Sequence, residues 1–186
     1  MMLGADGGEV GGSDVNGVLT IDERRVVGCA HQLGLILSSR WPGVAAQLLA
    51  QGAEGEGVAE LAGLSRMASP WFVDQLVPEL LAELSITELP ADEAIELVGR
   101  LVGQAVAARK DADEFAAVRE LARLSPSLGY PLGVIGDAYY ASEWLDCECH
   151  ADSPERDAAA ALEASLRTSN PLDVDSGLLL AVTAVV

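Results

Sequence analysis

Apolar residues recur at every third or fourth position over most of this chain, a spacing that places them on one face of an α-helix. The first such run follows Thr20 and Glu23, which have the spacing of a capping box and predict a helix start. The run predicts a helix to about Ser39. Its buried stripe would consist of Val26, Ala30, Leu33 and Leu37. The segment Trp41-Pro42-Gly43 is expected to end this helix, because proline has no backbone N–H and restricts the residue before it.

Seven further helices are predicted along the chain. Most begin at a recognisable signal, either a proline in the first turn or a Ser or Asp at the cap. Their approximate ranges are 44–51, 58–64, 70–84, 90–109, 111–124, 153–168 and one that begins at Pro131. Pro78 is expected to kink or split the helix that contains it.

These elements predict an all-α fold, either a single-domain multi-helix bundle or loosely repeated helical hairpins, over residues 19–168. The repeat alternative rests on residues 58–65 and 118–125, which agree at six of eight positions and each precede a proline-started helix. Residues 1–18 are predicted to be a flexible, acidic, Gly-rich tail. Residues 169–186 are predicted to be a linker followed by an apolar C-terminal segment.

The composition indicates what builds the core and which ligands are unfavourable. The 186 residues suffice for one domain, and because only 4% are aromatic, Leu, Val and Ala must form most of the core. The formal charge of −18 disfavours nucleic acid and anionic membrane surfaces, which bind clustered basic residues. The same charge suits a basic protein partner, although solubility alone also accounts for it.

Three features bear on location. The first residues lack the charged and then apolar stretch of a secretory signal, and no apolar run approaches the ~20 residues that span a bilayer. The odd count of three cysteines favours reduced thiols. The chain is therefore expected to be cytoplasmic.

Residues 139–152 contain many of the chain's side chains that can bind a metal, react or contact a partner. A zinc site could be formed by Cys147, Cys149 and His150 together with Cys29 of the first helix. On a helix, residues two apart point in different directions, so Cys149 could take part only if the helix ended near Asp146. One residue between two cysteines is not the usual zinc spacing. The alternatives are free thiols without a role and a strained, redox-active disulfide.

The same segment also offers a surface for a protein partner. Tyr140 and Trp144 share one helical face, and Glu143 and Asp146 lie beside them. Aromatic side chains at an interface supply affinity, and carboxylates attract a basic partner. The alternatives are aromatic side chains that pack in the core and carboxylates that are simply solvated.

Residues 178–186 are apolar except for Thr183, and a run of this kind must be covered to avoid aggregation. It could pack on its own domain as a strand or a last helix. Alternatively, another protein captures or processes it. In that case the contacts would be made by Leu178, Leu179, Leu180, Val182 and Val185.

The chain has few of the residues and motifs that commonly take part in catalysis. There is no Gly-rich phosphate loop after a strand and no nucleophile elbow, and the sequence has only two histidines. The preferred prediction is therefore a non-enzymatic, acidic helical protein–protein interaction module of the inhibitor, immunity or adaptor type, with a basic partner and no cofactor. The alternatives are a metal-binding or thiol-redox protein and a precursor or cargo protein.

Overall fold

The computed structural model describes residues 19–145 and 153–183. In these two ranges the chain forms nine α-helices and no strand, which confirms the predicted all-α fold. The helices are α1 (Ile21–Gln32), α2 (Trp41–Ala50), α3 (Glu56–Gly63), α4 (Pro70–Glu83), α5 (Ala91–Ala107), α6 (Ala116–Leu124), α7 (Val134–Leu145), α8 (Pro154–Thr168) and α9 (Ser176–Thr183). A single 3₁₀ turn, Ser38–Arg40, precedes α2.

Helix α1 has the predicted start but not the predicted end. The Thr20 hydroxyl accepts from the N–H of Glu23 at 3.1 Å, and the Glu23 carboxylate accepts from the N–H of Thr20 at 2.8 Å. The helix stops at Gln32 rather than Ser39, because Gly34 adopts a φ of +66°. This left-handed residue lets the N–H of Leu35 reach back to the Ala30 carbonyl at 2.8 Å.

The segment Trp41-Pro42-Gly43, predicted to be a helix break, instead forms the first turn of α2. A proline in the first turn costs no hydrogen bond, since the N–H groups there have no partner within the helix. Trp41 is only 3% exposed and anchors this turn in the core. Helix α2 therefore begins at Trp41, three residues before its predicted start at residue 44.

Three later helices test the predicted starts of α7 and α8 and the predicted break in α4. Ser153 caps α8 by accepting from the N–H of Arg156 at 3.2 Å, as predicted. Pro78 does not split α4, which continues as one helix to Glu83. Helix α7 begins later than the predicted Pro131, because Gly133 has a φ of 87°, which a right-handed helix cannot contain.

Helix α5 contacts α1, α6, α7, α8 and α9, whereas α3 packs against α2 and α4. Helices that follow one another also pack together, as α2 does with α3, α3 with α4, α6 with α7 and α7 with α8. Short connections favour such neighbours. A single apolar cluster, built mainly from Leu, Val and Ala, runs through all nine helices.

Two glycines allow α5 to approach its neighbours closely. A Cβ atom at Gly99 would lie 2.8 Å from the Cγ1 atom of Val134, at the start of α7. A Cβ atom at Gly103 would collide with the backbone carbonyl oxygen of Leu166 on α8. The contact between α5 and α8 therefore depends on the missing side chain at Gly103.

Two carboxylates cap helix N-termini from distant helices. Glu83, at the end of α4, accepts from the N–H groups of residues 57 and 58 in α3, at 3.0 and 3.2 Å. Glu163 of α8 accepts from the N–H groups of residues 117 and 118 in α6, at 3.2 and 2.8 Å. Residues 58 and 118 are the first residues of the two matching segments, and residues 57 and 117 immediately precede them. The sequence match therefore coincides with a shared mode of capping.

Helix α9 packs against α1, α2 and α5, and the chain leading to it is held by α1. The Thr20 hydroxyl donates to the carbonyl oxygen of Asp173 at 2.6 Å, and Glu23 accepts from the N–H of Asp175 at 3.2 Å. Asp175 in turn accepts from the N–H of Leu178 at 3.1 Å. The described part of the segment predicted as linker and tail thus shares the core of the preceding helices.

Candidate functional site

Helix α7 presents an aromatic surface because its apolar stripe and its aromatic side chains lie on different sides. Ile135 and Ala138 are completely buried against the core. Tyr140 is 65% exposed and Trp144 is 39% exposed. The predicted binding residue Glu143 is exposed beside them. The helical period therefore leaves two large aromatic side chains and a carboxylate at the surface of α7.

These aromatic side chains border a groove of about 390 Å³ between α7 and α8, which we call the acidic groove. Its lining residues are Asp137, Tyr140, Ala141, Trp144, Glu155, Ala158 and Leu162. The small apolar side chains of the two helices form its walls. Two carboxylates, one from each helix, bring negative charge to it. The groove thus combines apolar surface with an acidic environment.

A cluster of tyrosines continues the aromatic surface away from the acidic groove. The ring of Tyr139 meets the rings of Tyr130 and Tyr140 edge to face, with centroids 5.1 and 5.7 Å apart. The neighbouring Tyr130 hydroxyl, followed by burial and the Glu143 carboxylate, raises the pKa of Tyr139 above its ordinary value. The Tyr139 hydroxyl therefore keeps its proton at neutral pH and adds no charge to the surface.

Sequence reasoning identified one wall of the acidic groove and missed the other. Tyr140, Glu143 and Trp144 lie together on α7, and Asp146 falls outside the described residues. Glu155 and Leu162 of α8 were not predicted. The sequence did indicate that α8 would pack beside α7, because the connection between the two helices is short. It does not specify which side chains of α8 face α7.

Most of the predicted zinc site lies outside the described residues. Cys147, Cys149 and His150 lie in the range between α7 and α8 that the structure does not describe. Cys29 is 1% exposed, and its thiol donates to the carbonyl oxygen of Ala94 at 3.0 Å. Burial raises the pKa of this thiol to about 12, which opposes the thiolate form that metals bind. Within residues 19–145 and 153–183, no group of three His, Cys, Asp or Glu side chains has a metal-binding arrangement.

The tail residues predicted to contact a partner are mostly in the core. Leu178 is fully buried, and Leu179 and Val182 are 8% and 1% exposed. Leu180 is the exception at 69% exposed, whereas Val185 is outside the described ranges. These three buried side chains pack between α9 and its neighbours α1, α2 and α5. A partner could contact them only if α9 separated from those helices. Their role in partner binding stays a prediction.

None of the described helices is both long and apolar enough to cross a bilayer. Comparison of the chain with protein-family models, curated proteins and solved structures finds no match. Function is therefore inferred from geometry and charge. The acidic groove offers carboxylates, a phenol and an indole, which suit the binding of cationic and apolar groups.

Proposed function

We propose that the protein is a binding module that engages a basic protein partner through the acidic groove. The observation that carries this proposal is the exposure of Tyr140 and Trp144 beside Asp137 and Glu155 at one groove. Its closest physical analogues are inhibitor and immunity-type proteins, which present a preformed acidic surface. The fold needs no rearrangement to offer this surface, which keeps the entropic cost of binding low.

Charge supports a basic partner. The formal charge of −18 gives the whole molecule a long-range negative potential, and that potential steers a cationic partner toward the surface. Asp137, Glu143 and Glu155 add local negative charge at the aromatic side chains. Association should therefore be fast at low ionic strength and slower when salt screens the field.

The aromatic side chains support affinity. Tyrosine and tryptophan are enriched among interface residues that dominate binding energy, because they bury a large area with few rotatable bonds. Both rings can also lie against a guanidinium or ammonium group, an arrangement worth about 0.5–2 kcal/mol. An arginine-bearing segment with apolar neighbours matches these properties. Its methylene groups would contact Ala141, Ala158 and Leu162 while its charge lies near the carboxylates.

The proposal is tested by selecting peptides from a random display library on the full chain. The selected peptides are then synthesised, and their association and dissociation rates are measured. We expect net-positive sequences containing arginine, with association slowing several-fold between about 50 and 500 mM salt. Trp144→Ala should weaken binding at least tenfold, or about 1.4 kcal/mol. Glu155→Gln should mainly slow association and reduce its salt dependence.

Trp71→Ala is the matched control. Trp71 is 66% exposed at the start of α4, and it does not line the acidic groove. The variant should bind the selected peptides as tightly as the unchanged chain does. Selected peptides without net positive charge would contradict the proposal, as would equal losses in the Trp144→Ala and Trp71→Ala variants.

A further inference from the structure

Five large apolar side chains are exposed on the 3₁₀ turn and its flank, the connection between α3 and α4, the first turn of α4, and α9. We call this surface the apolar face. Its members, which are between 46% and 90% exposed, are Leu37, Met67, Trp71, Phe72 and Leu180. Single exposed apolar side chains are ordinary, but a group of them is typical of an interaction site.

Two observations place these segments side by side. The Ser38 hydroxyl donates to the Asp74 carboxylate at 2.8 Å, which holds the 3₁₀ turn against α4. Arg66 of the α3–α4 connection and Leu180 of α9 line one cavity of about 710 Å³ together with the 3₁₀ turn. The apolar face is therefore assembled from segments that are far apart in the sequence. None of these segments lines the acidic groove.

The α3–α4 connection fixes the backbone of Met67 in a tight turn. The carbonyl oxygen of Ser65 accepts from the N–H of Ala68 at 2.8 Å, and the Ser65 hydroxyl accepts from the N–H of Met67 at 3.2 Å. Met67 is 90% exposed, which is the largest value among the described large apolar side chains. A partner meets this turn already formed, so less conformational entropy is lost on binding.

The apolar face differs in charge from the rest of the molecule. Residues 37–43, 64–73 and 176–183 contain none of the chain's 29 acidic residues. Two basic and two acidic side chains lie in these segments or directly next to them in the sequence, namely Arg40, Arg66, Asp74 and Asp175. Both carboxylates already accept hydrogen bonds, Asp74 from a hydroxyl and Asp175 from backbone N–H groups. The face is thus balanced in charge on a chain whose formal charge is −18.

These properties fit a second copy of the chain. Two copies with a formal charge of −18 repel each other, so they approach at the lowest cost where acidic residues are sparse. Interfaces between identical subunits are enriched in aromatic residues, Met and Arg and depleted in Asp and Glu. A two-fold axis sets one surface against itself, which suits a balanced charge better than an excess of either sign. We propose that the apolar face is the contact of a two-fold symmetric homodimer.

Sedimentation equilibrium of the full chain tests this proposal. We expect a 19.3 kDa monomer in equilibrium with a dimer at protein concentrations of about 10–500 µM. Raising the salt concentration from about 50 to 500 mM should tighten the dimer several-fold, because screening weakens the repulsion between two acidic copies. A basic partner at the acidic groove has the opposite salt dependence, so the two proposals fail separately. A chain that stays monomeric over this range, or a dimer that salt weakens, overturns the homodimer.

Met67→Asp tests whether the apolar face forms the contact. A two-fold axis would bring the new charge into the interface from both copies, so the dissociation constant of the dimer should rise at least tenfold. Leu132→Asp is the matched control. Leu132 is 89% exposed, it also lies in a connection between two helices, and its replacement adds the same charge. The control should leave the dimer unchanged, and equal weakening in both variants, or in neither, would refute the assignment.

A lipid surface is the other occupant that the experiments distinguish. Neutral phosphatidylcholine vesicles are mixed with the full chain and floated on a density gradient, and we expect the protein to stay behind. Flotation that Met67→Asp abolishes and Leu132→Asp preserves would assign the apolar face to a membrane and overturn the homodimer. Circular dichroism should show that both variants are folded.

Discussion

The thiol of Cys29 lies between α1 and α5, where it is 1% exposed and bonded to the carbonyl oxygen of Ala94. Burial penalises its ionised form and raises its pKa from about 9 to about 12. The thiol is thus a small apolar group that also satisfies a backbone acceptor. Its hydrogen bond links α1 to α5.

This pKa predicts a pH dependence of stability. Between about pH 9 and 12 the folded protein keeps a thiol proton that the unfolded chain releases, so the free energy of unfolding falls as pH rises. The fall attributable to Cys29 approaches about 1.4 kcal/mol per pH unit, and its contribution is complete below pH 9. Urea unfolding at several pH values should show a shallower alkaline fall in Cys29→Ala than in the unchanged chain. Equal slopes would mean that the thiol ionises as easily in the folded protein.

Glu163 shows why some residues could not be assigned from the sequence. It is 4% exposed, it caps α6, and it pairs with Arg167 at 2.6 Å. The capped N–H groups are 45 and 46 residues away in the chain, so no local pattern connects them to this carboxylate. Because acidic side chains are usually exposed to solvent, nothing in the sequence indicated that this one would be buried. By contrast, the capping box of α1 was predictable because Thr20 and Glu23 are three residues apart.

At the scale of the helix, periodicity predicted the elements well and their ends less well. Of the stripe predicted to be buried, Val26 and Ala30 are buried, Leu33 is only partly buried, and Leu37 is 54% exposed. Helix α1 ends at Gln32 because Gly34 provides a left-handed residue that can terminate a helix. The apolar pattern continues past this point, since Leu35 and Ile36 are buried as part of a loop. Hydrophobic spacing alone cannot distinguish a helix from a loop that packs on the core.

Gly103 gives a prediction for the packing of two helices. Gly103→Ala would place a Cβ atom against the Leu166 carbonyl, so α5 and α8 must separate, at a typical cost of about 1–3 kcal/mol. Gly43→Ala is the control, because it adds the same atom to a helix where nothing lies within 4 Å. That change should be neutral or stabilising by up to about 1 kcal/mol. Urea denaturation of the two variants measures both effects, and similar stabilities would contradict the close approach of α5 and α8.

At the scale of the molecule, the sequence predicted the fold class and one wall of the acidic groove. Eight of the nine described helices follow from local signals, whereas the pairing of α7 with specific residues of α8 depends on long-range packing.

The position of α9 determines whether the apolar C-terminal segment belongs to the fold or is available to a partner. Leu178 is fully buried between α9 and its neighbours, so Leu178→Ala should destabilise the protein by about 2–5 kcal/mol through lost contacts and a cavity. Leu180→Ala should change stability by no more than about 0.5 kcal/mol, because that side chain is 69% exposed. Chemical denaturation of the two variants therefore separates a docked helix from a free tail. If both substitutions left stability unchanged, α9 would not be docked in solution, and capture of the tail by another protein would become the better explanation of its apolar sequence.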